Sequence, residues 1–234
     1  MRAEDLSKTL DLTVLNPGTA AEDIETACER AVEFHFAALC SYPQFVGDIA
    51  DRLRGSDVKA CAAIGYPDGT GGAANVRAAE AAVSDGANEI DVVMNVNAMR
   101  SGEFTLARDE LVRVVRAVRS RAANSARGDV IVKVIIESPL LDDKLTRLAC
   151  KIVDDAGADF AVTSTGLEGR RATTEAVEVM RDALPEGVGV QAAGGVDTLE
   201  EVQAMISAGA ARVGSERAVE VIQELLAAEE GAKK

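Results

Sequence analysis

The chain has 234 residues, 47% apolar and 27% charged, which is enough for one large core and is the length of a single α/β barrel. No run of 18 apolar residues exists and the opening MRAEDLSKTL has no apolar signal core, so neither a membrane span nor a secretory leader is expected, and a cytoplasmic location is. The net charge of −14, from 39 acidic against 25 basic residues, repels phosphate backbones and anionic lipid and argues against nucleic-acid and membrane partners.

In chain order, short apolar runs alternate with helical stretches. Strands are expected over 10–15, 36–40, 58–65, 89–96, 130–137, 159–165, 187–193 and 211–214, each rich in β-branched or small apolar residues and bounded by Gly, Pro, Asp or Asn. Apolar residues recurring at three- and four-residue spacing predict amphipathic helices over 20–34, 106–124 and 197–210. The turn residues Asn16-Pro17-Gly18, Tyr66-Pro67-Asp68-Gly69 and Gly194-Gly195 fall just after strands. Eight strands alternating with helices describe a (β/α)8 TIM barrel, with residues 1–234 as one domain. A doubly wound sheet would need a GxGxxG turn after a strand, and there is none. Aromatic residues make up only 3% of the chain and Trp is absent, so Ala, Val, Leu and Ile must build the core. Cys28, Cys40, Cys61 and Cys150 show no CxxC spacing and lie in apolar runs, which reads as buried free thiols. The acidic surface, with Arg greatly outnumbering Lys, fits a high-salt cytoplasm and an ordinary acidic protein equally well.

Barrel chemistry gathers at the C-terminal ends of the strands. Alternation puts Asp91, Val93 and Asn95 on one face of the fourth strand, and Lys133, Ile135 and Glu137 on one face of the fifth. An ionisable group in an apolar strand must be compensated, so Asp91 and Lys133 are expected to pair. Two readings follow: a polar barrel core paired for stability alone, or a catalytic pair at the barrel mouth.

Several segments together resemble the deoxyribose-phosphate aldolase family: DLTVLN (11–16), IGYPDGTGGAANVRAAE (64–80), GANEIDVVMNVNAMRSGEF (86–104), VKVIIESPLL (132–141), GADFAVTSTG (157–166), QAAGGVDTLEEV (191–202) and GAARVGSE (209–216). The likeness runs from Leu10 to about Val221 and implies a (β/α)8 barrel that reversibly cleaves 2-deoxyribose 5-phosphate to acetaldehyde and glyceraldehyde 3-phosphate. It implies a lyase acting through a lysine imine, without cofactor or metal, on a phosphosugar or aldehyde.

Residue by residue, the resemblance breaks at the chemistry. The family's imine lysine falls on Val162 and its second lysine on Gln191, and neither replacement can form an imine. Asp91 matches the proton-shuttling aspartate, and Asp11, Thr13, Lys133, Glu137 and Ser164 are retained. For the phosphate, the resemblance implies Gly194, Gly195 and Ser215, but Glu216 stands where the family usually has Ser. Arg170-Arg171 replaces Gly-Gly, and is read first as solvated charge and second as an anion clamp. Leu12 and Asn16 replace a common His and Lys. Val162, Gln191, Asn16 and Glu216 each remove a cation or add an anion near the site.

Zinc chemistry needs several imidazoles, and His35, read as a helix C-terminal residue, is the only histidine. A Mg²⁺ site from Asp11, Asp91 and Glu137 is conceivable, but carboxylates paired with Lys133 are simpler. Cys40 lacks a partner base and reads as a packed thiol. Lys133, on the strand beside Val162, is a candidate relocated imine lysine if burial lowers its pKa. The expectation is therefore an aldolase homologue with activity lost or altered, a possible pseudoenzyme. The alternatives are a non-catalytic barrel binding a small sugar or aldehyde, or different barrel chemistry using Asp91 and Lys133. A homo-oligomer is compatible with such a barrel, although no long apolar stripe selects one.

Overall fold

The computed structural model describes residues 1–125 and 128–231. Eight parallel strands close a barrel in sequence order: β1 (Leu10–Val14), β2 (Ala38–Ser41), β3 (Lys59–Ile64), β4 (Glu89–Val93), β5 (Ile131–Ile135), β6 (Phe160–Val162), β7 (Gly189–Ala193) and β8 (Arg212–Ser215). All eight expected strands form, as do helices Ala21–Glu33, Phe104–Ala123 and Leu199–Ser207 within the three expected stretches.

The two-residue period of the strands divides the molecule into layers. Leu10, Leu12, Leu39, Ile64, Ile90, Val92, Val132, Val134, Val190 and Val213 point outward and join the helix faces in one continuous apolar core. Each such side chain, fully buried, contributes about 1.5–3 kcal/mol. The alternate residues point into the barrel, where only two small apolar clusters form, one around Cys40, Cys61 and Ala63 and one of Val93, Ile135 and Val162. The barrel interior is thus left for polar groups.

Local capping fixes the outer helices. Asp142 accepts a hydrogen bond from the Leu145 N–H at 2.8 Å to start Asp143–Ala156, and Gly157 ends that helix at φ 77°. Thr198 and Glu201 form a capping box on Leu199–Ser207. His35 follows the end of Ala21–Glu33 at φ 53°, with its Nδ1 3.1 Å from Asp57, so the helix-end reading holds. All four cysteines are buried and free, as expected. Among the described residues no helix is long and apolar enough to cross a membrane.

The sequence-based strand ends are corrected at two places that matter. β4 stops at Val93, and Asn95 instead caps helix Val96–Ser101 by accepting from the Ala98 N–H at 3.0 Å. β5 stops at Ile135, and Glu137 takes a left-handed conformation at φ 54°. Neither Asn95 nor Glu137 continues the inward face of its strand.

Candidate active site

At the base of the barrel interior, alternation brings Asp11, Glu89, Asp91, Lys133 and Arg212 together. The Lys133 Nζ lies 2.8 Å from Asp11 Oδ2, 2.8 Å from Glu89 Oε2 and 3.2 Å from Asp91 Oδ1. Arg212 pairs with Asp11 and, at 3.3 Å, with Glu89. Three carboxylates face two cations, a balance of −1, and Lys133 is wholly enclosed. Burial works to lower the Lys133 pKa, but Asp11, Asp91 and Glu89 outweigh it and hold the ammonium well above its ordinary value. Burial likewise works to raise Asp11, and Lys133 and Arg212 reverse it, keeping the carboxylate ionised. The expected Asp91–Lys133 pair is present. Glu89 and Arg212 were missed, although Glu89 sits two residues before Asp91 on the same face of β4.

Above this network opens a cavity of about 340 Å³ at the C-terminal ends of the strands. Cys40, Asp91 and Gln191 line it, and Val162, Ile135, Ala193 and Tyr66 form an apolar wall. Thr13, Ser164, Gly194, Gly195 and Ser215 all reach it, and so does Asn16. Leu12 does not, because it faces outward into the core.

Register decides the question of a relocated amine. Val162 pairs with Ile135 on one side and Gln191 on the other, whereas Lys133 pairs with Phe160, two residues lower. That places Lys133 roughly 6–7 Å down the strand axis from Val162. It does not line the cavity. Carboxylates on three sides outweigh burial and raise its pKa where imine formation needs it lowered, so the relocated-lysine expectation is corrected. Asp11 is also corrected as a ligand-contacting residue, because Lys133 and Arg212 hold it beneath the cavity. Glu137 is a backbone clamp: its Oε1 accepts from the Thr165 N–H at 2.6 Å, and its Oε2 lies 3.4 Å from Arg170 Nη1.

The arginine pair divides, with Arg170 mostly covered and Arg171 exposed. Arg170 bridges Glu137 and Glu168, and its side chain is mostly covered. Arg171 lines the cavity mouth with its guanidinium against Gly195, 3.5 Å from Asp197 and 2.6 Å from Glu201. The loops after β6 and β7 are stitched together. Ser164 Oγ lies 2.8 Å from the carbonyls of both Ala193 and Arg170, and the Ala172 N–H donates to Gly194 at 2.9 Å. Ser215 Oγ accepts from the Arg217 N–H at 3.0 Å.

The Mg²⁺ trio does not assemble, since Asp11 and Asp91 serve Lys133 while Glu137 faces Thr165 and Arg170. Cys40, Cys61 and Asp91 do present ligand atoms within 4.8 Å of one another. At Cys40 a hydrogen bond with Cys61 works to lower the pKa, but burial and the Asp91 charge carry it up; at Cys61 burial raises it further. A cation there would have to displace two firmly held thiol protons and compete with Lys133 for Asp91, so the cluster is a poor metal site.

The chain matches the model of the DeoC/LacD family aldolases over residues 6–219. The chain belongs to that family. It is 40% identical over 222 residues to a deoxyribose-phosphate aldolase of Caldanaerobacter subterraneus subsp. tengcongensis, covering 94% of this chain and 93% of the relative. It is 41% identical over 226 residues to a deoxyribose-phosphate aldolase of Aciduliprofundum boonei, covering 96% and 99%. Among solved structures, the aldolase QR15 superposes with a TM-score of 0.88 at 32% identity, over 97% of this chain and 98% of that one. The deoxyribose phosphate aldolase of Aeropyrum pernix, described as a tetramer, gives 0.87 at 28%, over 97% and 93%. This DeoC/LacD-family barrel therefore shares its whole architecture with those aldolases.

Proposed function

We propose that this family member binds a small sugar or aldehyde at the mouth of its barrel without forming an imine there, so that the family's aldolase activity is lost or altered. One observation carries the reading: among the described residues no lysine lines the cavity. By resemblance the imine position is Val162, packed against Val93 and Ile135, and the second lysine position is Gln191. A Schiff base needs a neutral amine in contact with the carbonyl, and Lys133 is neither neutral nor in contact. Ligand contacts fall instead to Asp91, Thr13, Ser164, Gly194, Gly195 and Ser215.

A second reading is proton-transfer chemistry with Asp91 as base, favoured by its place in the cavity lining. Lys133 then acts only through Asp91, as a positioning residue. The same proposal takes residues 1–234 as one domain, needs neither cofactor nor metal, and extends to self-association on the precedent of the Aeropyrum pernix relative. Borohydride reduction in the presence of acetaldehyde tests the main reading: peptide mapping should show no adduct in the barrel interior, and one on Lys133 would overturn it.

A further inference from the structure

We infer that the cavity selects an uncharged, hydroxyl-rich ligand, an aldose or polyol without a phosphate group, with Gln191 holding its hydroxyl groups and Glu216 excluding the phosphate. The inference rests on the binding reading above and names its ligand class.

The inner end of the cavity is built to accept hydrogen bonds. Gln191 is 1% exposed and lines the cavity, and its Oε1 has no partner among the described residues. A buried amide oxygen left unmet is costly, so a ligand hydrogen aimed at it is strongly favoured. The Asp91 carboxylate lies on the same lining, and the Thr13 hydroxyl makes no protein hydrogen bond among the described residues. Ligand hydroxyl groups serve all three. The volume of about 340 Å³ accommodates a pentose.

The mouth is built against a further anion. Among the described residues Arg171 is the only cationic side chain on the lining, and Asp197 and Glu201 already hold it. Glu216 lines the mouth with no ion-pair partner among the described residues. One guanidinium therefore stands against three carboxylates, a local balance of −2, above a buried network that carries a further −1. The charge of Glu216 is felt across the opening: burial, then Tyr42, then Glu216 push the Tyr66 phenol up to about 12, which keeps it a neutral donor. The N–H groups of Gly194 and Gly195 make no protein hydrogen bonds among the described residues. A hydroxyl oxygen can accept from them without bringing in the charge that Glu216 repels.

Calorimetric titration of the full chain with 2-deoxyribose, ribose, 2-deoxyribose 5-phosphate and inorganic phosphate, at low and high salt, tests this. The free sugars should bind saturably, with the phosphorylated sugar at least about tenfold weaker at low ionic strength and the gap closing as salt screens it. Glu216→Ser, at an exposed position, should keep the melting temperature and narrow the gap several-fold. Gln191→Leu should weaken the free sugars about tenfold and leave the ratio unchanged. Phosphorylated sugar binding as tightly as free sugar, an unchanged ratio in Glu216→Ser, or no binding of any free sugar would overturn the inference. A borohydride-trapped adduct inside the barrel would instead defeat the underlying reading, whatever the affinity ratio proves to be.

Discussion

Lys133 and Arg212 share Asp11 and Glu89 between them, and Lys133 reaches Asp91 as well. The geometry is that of a buried ion network whose parts cannot be removed singly. Lys133→Met would leave three carboxylates with one cation, and breaking a buried pair in this way costs about 3–5 kcal/mol. Urea unfolding should show a loss of that size; a loss below about 1 kcal/mol would contradict the role assigned to Lys133. Part of this network is legible in the sequence. Alternation along EIDVV and IVKVI places Asp91 and Lys133 inward, and a buried charge demands a partner. The same alternation puts Glu89 and Arg212 inside, but Arg212 meets Asp11 across 201 positions of sequence, a contact that only closure of the barrel creates.

At the scale of elements, the loops after β6 and β7 are packed glycine on glycine. Gly194 has φ +94°, and a Cβ there would sit 2.5 Å from Ser164 Oγ and 2.7 Å from the Gly166 nitrogen. Gly194→Ala should therefore destabilise the protein by about 1–3 kcal/mol through strain and displaced loops, read as a lower melting temperature. An unchanged melt would show that the two loops move independently. Gly194-Gly195 is visible in the sequence as a turn and, by resemblance, as an anion cradle. Its role in joining two loops is not, because that depends on how closely β6 and β7 approach. The strand ends were overextended for a related reason. Asn95 and Glu137 continue the two-residue period on paper, but a helix cap and a left-handed turn claim them in the fold.

For the whole molecule, the beat of eight apolar runs made the barrel legible, since alternating strands and helices make a parallel sheet and no GxGxxG turn marks the open doubly wound alternative. The electrostatics of that barrel set its pH range. The pKa of Asp11 is held below its ordinary 3.8, so the unfolded chain takes up protons first and stability falls as pH drops through and below that value. Asp57, lowered to about 2 by Lys8 and then His35, titrates in the same direction. The pKa of Lys133 is held above its ordinary 10.5, so its contribution is complete below that pH and is lost as pH rises beyond it. Burial holds the Cys28 and Cys150 thiols up at about 11 and about 12, above their ordinary 9.0, so their contribution is lost first as pH rises, and unfolding free energy should be greatest between roughly pH 5 and 8 and decline on both flanks. Denaturant titrations across pH should show that plateau; stability that climbs as pH rises past 8 would mean that Lys133 releases its proton in the folded state.

The central claim is that, among the described residues, the cavity holds no amine able to form an imine. Borohydride trapping with acetaldehyde, run on the protein and on Val162→Lys side by side, tests it most directly. A lysine at 162, set against Val93 and Ile135, would have its pKa lowered by burial and should trap an adduct at that position. The natural chain should trap none in the barrel interior. A reduced adduct on Lys133 of the natural chain would contradict the account.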